Sequence, residues 1–193
     1  LDRDAWWSGD AWRLLPAHRN ERDASLRWPL DVQVTGPLPA LLARLRQAGW
    51  REQPEADWVA VLGLLDDDRP ASQQPVLPAT LDTEAESMLL RRPLPGGLIQ
   101  VLRLWAAPVA LRDGTPVWLG TTQVMRYDHV LGVFGVWRPL EDHGRAHADL
   151  HHALHGPGVR DGERNGRTVL RVDAKNCRSG AYRASSDTSE SSC

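Results

Sequence analysis

The body of this 193-residue chain has no cysteine: Cys177 and Cys193 both fall in a polar C-terminal stretch. No packed surroundings are expected there to hold two thiols at bridging distance, so the sequence offers neither a disulfide framework nor a cysteine metal site. Long apolar runs are missing as well. No stretch approaches the roughly 20 consecutive apolar residues that cross a bilayer. The opening LDRDAWWSGD lacks the basic start and apolar core of a signal peptide. Lysine is nearly absent, with Lys175 the lone example. The basic charge is carried by arginines interleaved with acids, for a net charge of −2 and a pI near 6.4. Phosphate-backbone binding needs a concentrated positive field, so nucleic acid is not an expected partner. With its high Ala, Pro and Trp content the chain reads as a product of GC-rich DNA, and its arginine clusters are discounted for that reason.

Catalytic patterns are equally scarce. Outside the tail the serines are Ser8, Ser25, Ser72 and Ser87, none in a Gly-x-Ser-x-Gly elbow. There is no phosphate loop and no dinucleotide-binding glycine pattern. No catalytic residue and no cofactor is expected. The inventory points away from an enzyme within this chain without excluding one.

What is present is a clear succession of elements. A length of this order accommodates one domain plus tails. Residues 1–27 form a Trp-containing segment with Trp6, Trp7 and Trp12, followed by the polar PAHRNERDASLR, read as a linker. Residues 30–35 alternate Leu30, Val32 and Val34 with Asp31, Gln33 and Thr35, the period of a half-buried strand. Next, Leu38, Leu41, Leu42 and Leu45 fall on one helical face, with Gly49 placed for a left-handed cap. Trp58, Val61, Leu62 and Leu65 repeat that spacing before Asp66, Asp67 and Asp68. Three carboxylates at the negative end of a helix dipole read as a solvated stop rather than a cation site.

From Val76 to Trp137 the pattern changes to strands, with PLPGG as one turn and Asp113-Gly114 as a hairpin turn. The glycines of VLGVFGVW mark a bulge or a close backbone approach. Residues 141–155 read as a helix, 167–174 as a last short strand beyond a polar loop, and 174–193 as a disordered Ser-rich tail. The expected fold is therefore α+β. Its mostly antiparallel sheet, ordered strand, helix, helix and then meander, is covered on one face by two or three helices, and the domain spans 28–173.

Three groups of side chains carry possible chemistry. His143, His147, His151 and His155 recur every four residues and form a stripe on the last helix, so His147 and His151 could share a metal ion. The HExxH pattern is absent, and a solvated polar face is the competing explanation. Arg103, Asp128 and His129 could form a polar pocket over the sheet. Against this, Asp128 and His129 are adjacent on a strand and point to opposite faces, and Arg103 on a central strand could instead pair with Glu86. Trp6, Trp7 and Trp12 either sit at a bilayer interface, where Trp is enriched, or pack on the domain itself.

Taken together, WRLLP…R at 12–19, PLDVQVTGPLPALLARLRQAGW at 29–50, QPVLP at 74–78, VLRLW at 101–105 and DGTPVWLGT at 113–121 resemble the LssY C-terminal domain family. The resemblance covers roughly residues 5–173, and the Ser-rich ending departs from it. It implies a domain appended to bacterial membrane proteins of the DedA or phosphatidic-acid phosphatase type 2 kind, and it supplies no catalytic residues. The implied partner is a membrane-embedded part of the same polypeptide, with a membrane interface possible. Because the chain starts at Leu1, an N-terminal extension is expected to provide membrane association, on a side that the sequence does not give.

Overall fold

Leu38, Leu41, Leu42 and Leu45 recur at helical spacing, and the computed structural model builds α2 on them, from Leu38 to Gln47, with all four side chains buried. Pro39 sits in the first turn, where no intrahelical N–H is required. At the other end Gly49 takes φ +85°, and Trp50 donates its N–H to the Leu45 carbonyl at 3.1 Å. This left-handed cap turns the chain and buries the Trp50 ring completely. Each buried leucine is worth roughly 1.5–3 kcal/mol of apolar transfer, which sets this helix on the sheet.

The structure describes residues 2–20, 27–53, 70–130, 134–141 and 143–176. The second expected helix with its aspartates 66–68, and the Ser-rich tail with both cysteines, lie outside the described residues. The elements, in chain order, begin with α1 (Arg3–Ser8), β1 (His18–Asn20), β2 (Arg27–Pro29), β3 (Val32–Thr35) and α2. After these come β4 (Arg51–Glu52), β5 (Thr80–Leu81), β6 (Glu84–Ala85), β7 (Met88–Pro93), β8 (Leu98–Ala110), β9 (Pro116–Val130) and β10 (Phe134–Pro139). Helix α3 (His143–Leu154), β11 (Val159–Arg164) and β12 (Arg167–Asp173) complete the list.

The main sheet has eight strands in the order β11-β12-β3-β9-β8-β7-β4, with β10 also paired to β9. Every pairing is antiparallel except β12 with β3. The fold is thus α+β with a mostly antiparallel sheet, as the patterning predicts. The long β8–β9 hairpin is closed where expected: Thr115 donates its N–H to Asp113 Oδ1 at 2.9 Å, and Leu111 donates to the Thr115 carbonyl at 2.9 Å. Gly135 on β10 lies under the Tyr127 ring, where an added Cβ would fall 1.9 Å from the phenol oxygen. That is the close approach its neighbourhood suggested.

The two faces of the sheet are covered differently. On one, Val32, Val34, Leu102, Leu104, Leu170 and Val172 meet the leucines of α2 and Leu150 and Leu154 of α3. On the other, Trp6, Trp12, Trp28, Leu30, Trp105 and Leu119 form a second cluster. Two expectations change here. The polar stretch read as a linker contains β1 and ends at the first residue of β2, and the two strands pair with His18 opposite Pro29. Gln33 and Thr35, taken as the solvent side of β3, are buried because the N-terminal segment covers that face. Of the two readings of the N-terminal tryptophans, packing on the domain describes them. Trp6 and Trp12 are 1% and 3% exposed, and Trp7 is half-buried against the same cluster.

Candidate functional site

The sheet is split along one edge of β9. Strand β3 pairs with residues 117–120 of that edge and β10 with residues 125–130, so 121–124 have no strand partner on that side among the described residues. Asp31, one residue before β3, stands at the split. It is 7% exposed, and burial pushes its carboxyl up to about 7. The opposing attractions are weaker: its own backbone N–H, the charge of Arg167, the Thr122 N–H and the charge of Arg164. Oδ1 has no hydrogen-bond partner among the described residues and is hidden from bulk water. A carboxyl buried against its preference for water, and left incompletely bonded, belongs to the kind of group that concentrates at functional sites.

His147 on α3 is the nearest ionisable neighbour that the sequence singled out. Burial lowers its pKa, opposed by attraction to Asp161 and a hydrogen bond with the Asp31 backbone. Nε2 has no partner among the described residues. A cleft of about 240 Å³ opens here, lined by Asp31, Gly144, His147, Arg167 and Thr168. Gly144 lies in the first turn of α3, the end of a helix whose backbone N–H groups are free and whose dipole favours negative charge. Arg167 is exposed and bears on Asp31 through charge attraction. Behind Asp31 a hollow of about 30 Å³, bordered by His18, Leu30 and Arg164, is large enough for about one water molecule. Arg164 is held in place, donating to the carbonyls of Leu15 at 2.8 Å and Leu30 at 2.9 Å.

The sequence-derived candidates are distributed elsewhere. Arg103 lies buried in the middle of β8, donating to Glu86 Oε2 at 2.6 Å and to the Leu77 carbonyl at 2.9 Å, the internal pair weighed above. Burial still pushes the Glu86 carboxyl up, against the attraction of Arg103. Asp128 lies near the far end of β9, where Arg126 grips both its oxygens at 2.9 and 3.1 Å and holds its carboxyl below the usual range. His129 meets the Tyr127 ring edge-on at 5.6 Å. The structure does not bring Arg103, Asp128 and His129 to one cavity.

The histidine stripe is divided among partners. His147 faces Asp31, His151 Nε2 lies 3.2 Å from Asp161 Oδ2, and His155 stacks on His152 at 5.4 Å. The side chain of His143 lies outside the described residues. Among the described residues no group of three or more His, Cys, Asp or Glu comes together as metal ligands, and no helix is long and apolar enough to cross a membrane.

A larger cleft, about 460 Å³, runs between Gln53, Val76, Pro78, Glu86, Met88 and Leu89. Its buried acid, Glu86, is engaged by Arg103. Alternation places Asp31 on the polar side of its strand, and Arg167 reads only as the opening residue of the last strand, so the sequence pattern singles out neither. Only the convergence of β3, β12 and α3, distant in sequence, gives them a common role.

These features define a small α+β domain with a polar cleft where its sheet divides. The family model described as LssY C-terminus matches residues 12–133, more than half of the chain, and the chain belongs to that family. Asp31 lies within the matched segment, while His147 and Arg167 lie beyond it. No curated protein and no solved structure matches the chain.

Proposed function

We propose that this chain is a non-catalytic accessory domain, the C-terminal part of a bacterial membrane protein whose membrane-embedded portion handles lipids, of the DedA or phosphatidic-acid phosphatase type 2 kind. The observation that carries the reading is the match over residues 12–133 to a family described as the C-terminus of a protein, that is, as an appended part. The arrangement of Arg103 supports it: a planar, charged side chain on the central hairpin is engaged internally by Glu86, as in a scaffold. Membrane association then comes from the portion preceding Leu1, and the domain acts on that portion by contact or regulation.

Two experiments test this. Reading the gene upstream of Leu1 is expected to reveal several hydrophobic spans, and a start codon close to Leu1 overturns the proposal. Deleting the domain from the intact protein is expected to change the activity or stability of the membrane portion severalfold while leaving it inserted. An unchanged membrane portion sinks the regulatory role.

A further inference from the structure

We propose that the cleft of about 460 Å³ between the irregular segment 75–79 and the start of β7 is a binding site for a small organic ammonium, a protonated amine carried on a compact apolar body. This inference goes beyond the accessory-domain reading and stands independently of it.

The cleft is held open by its wall. Residues 75–79 belong to no helix or strand, so their backbone groups need water or side chains as partners. Side chains from the surrounding strands supply them. Gln53 forms two hydrogen bonds with Val76, donating to its carbonyl and accepting from its N–H, each at 3.0 Å. Arg103 donates to the Leu77 carbonyl at 2.9 Å, Trp105 to that of Ala79 at 3.3 Å, and Arg19 to that of Thr80. Just before the segment, Arg91 and Trp137 both donate to the Gln74 carbonyl, at 2.9 and 3.1 Å. The wall is thereby fixed across the cleft from Ser87, Met88 and Leu89, and the space between them is preorganised at the size of a small molecule.

The lining selects the ligand's chemistry. Val76, Ala79, Met88 and Leu89 provide apolar surface, and the charged residues are both acids, Glu52 and Glu86. Among the described residues no lysine, arginine or histidine lines the cleft. The Glu86 side chain keeps 10% of its surface exposed. Arg103 donates to its Oε2 at 2.6 Å, and the Ala79 N–H donates to the same carboxyl. A carboxylate offers about four lone-pair positions, so acceptor capacity remains. Arg19, the other cation that bears on Glu86, is engaged by the Thr80 carbonyl. Glu52 is exposed with Arg46 4.0 Å away, a separation and setting at which an ion pair contributes little. An anion in this cleft meets two carboxylates and no cation, and a neutral apolar molecule leaves the remaining acceptors unmet. An ammonium meets them with charge-assisted hydrogen bonds while its body covers the apolar surface.

The test uses the full 193-residue chain near pH 8, where an alkylamine, with a pKa like the lysine value of about 10.4, is still an ammonium. Phenethylamine, phenethyl alcohol and hydrocinnamate serve as probes, since they share one apolar body and carry a positive, a neutral and a negative head. Isothermal titration and the amide resonances of Ser87 and Leu89 report binding. Phenethylamine is expected to saturate with a dissociation constant on the order of a millimolar, the range open to so small a molecule, and to shift both resonances. The alcohol is expected to bind at least about tenfold more weakly, for want of a charge-assisted pair, and hydrocinnamate not to bind. Ala85→Trp, at an exposed position lining the cleft, is expected to fill it, abolishing amine binding while leaving thermal unfolding unchanged. Glu86→Gln is expected to bring the amine down to the affinity of the alcohol. Because it also removes a partner of Arg103, Ala85→Trp and the three probes decide the matter if this variant does not fold. An amine that fails to saturate, that is matched by the alcohol or by hydrocinnamate, or that binds Ala85→Trp as well as the parent overturns the proposal.

Discussion

The two faces of the sheet close by different physics. Under α2 and α3, aliphatic side chains meet aliphatic side chains, and stability follows the apolar area removed from water. Under the N-terminal segment the sheet presents Gln33, Arg171 and Asp173, and closure depends on satisfying them. Gln33 donates to the Trp12 carbonyl at 3.1 Å, Arg171 to the carbonyls of Trp6 and Trp7, and Asp173 receives Arg3. The Arg171 guanidinium also lies 5.0 Å from the Trp7 ring centre and 4.7 Å from that of Trp12. Burial pushes its pKa down to about 10, so it remains charged at neutral pH. The helical face is a hydrophobic contact, whereas the tryptophan face is a set of hydrogen bonds shielded by rings.

If that contrast is right, truncations on the two faces have different reach. Leu41, fully buried at the centre of the α2 contact, cannot be removed locally. Leu41→Ala is expected to destabilise the whole domain by about 3 kcal/mol through lost transfer energy and a residual cavity. Urea unfolding followed by circular dichroism and by tryptophan fluorescence should shift together. Separate transitions would mean that the helical face is not the common core.

Arg171→Met keeps most of the bulk but removes the donors. The expected cost is about 2 kcal/mol, the penalty for backbone acceptors left unsatisfied and for the lost charge contact. It should appear as local release: faster amide exchange and proteolysis within residues 3–15, with the protection of β8 and β9 largely retained. A uniform loss of protection would erase the distinction between the faces.

The same contrast explains what could be read in advance. The leucines of α2, the Asp113-Gly114 turn and the strands β7, β8 and β9 are local patterns, and each element formed where its period placed it. The covering of the tryptophan face was hidden because it joins residues 3–15 to residues 164–173, and the receiving side chains are polar. Alternation along β3 correctly indicates a strand and says nothing about whether its polar side is wet. The polar composition of β11 suggests a loop, yet Asn165-Gly166, with φ of 53° and 72°, carries the two-residue turn chemistry that closes it on β12. Of the cleft, His147 was legible as a polar helical residue at a telling spacing. Asp31 and Arg167 were not, because no local pattern joins the first strand to the last.

Asp31 stands between the two faces, with the cleft in front and the small hollow behind, and tests the contrast by a third route. Its carboxyl is raised from 3.8 to about 7 by burial, so the folded state holds this proton more tightly than the unfolded chain. Its contribution to stability is therefore fully present below about pH 4 and is lost as pH rises toward 7. Asn is neutral throughout and of the same shape. Asp31→Asn is expected to match the parent near pH 4 and to be more stable by about 1.5 kcal/mol at pH 8, a fraction of the full linkage value because buried sites relax when they ionise. His147 works in the opposite sense. With its pKa lowered, its contribution is present above 6.5 and lost as pH falls through its folded value, and it is common to both proteins. Glu86, raised like Asp31, is common to both as well, so the difference between their urea midpoints across pH isolates Asp31. A difference that does not vary with pH would mean that the Asp31 carboxyl is hydrated in the folded protein, and that the split in the sheet is open to water rather than part of either packed face.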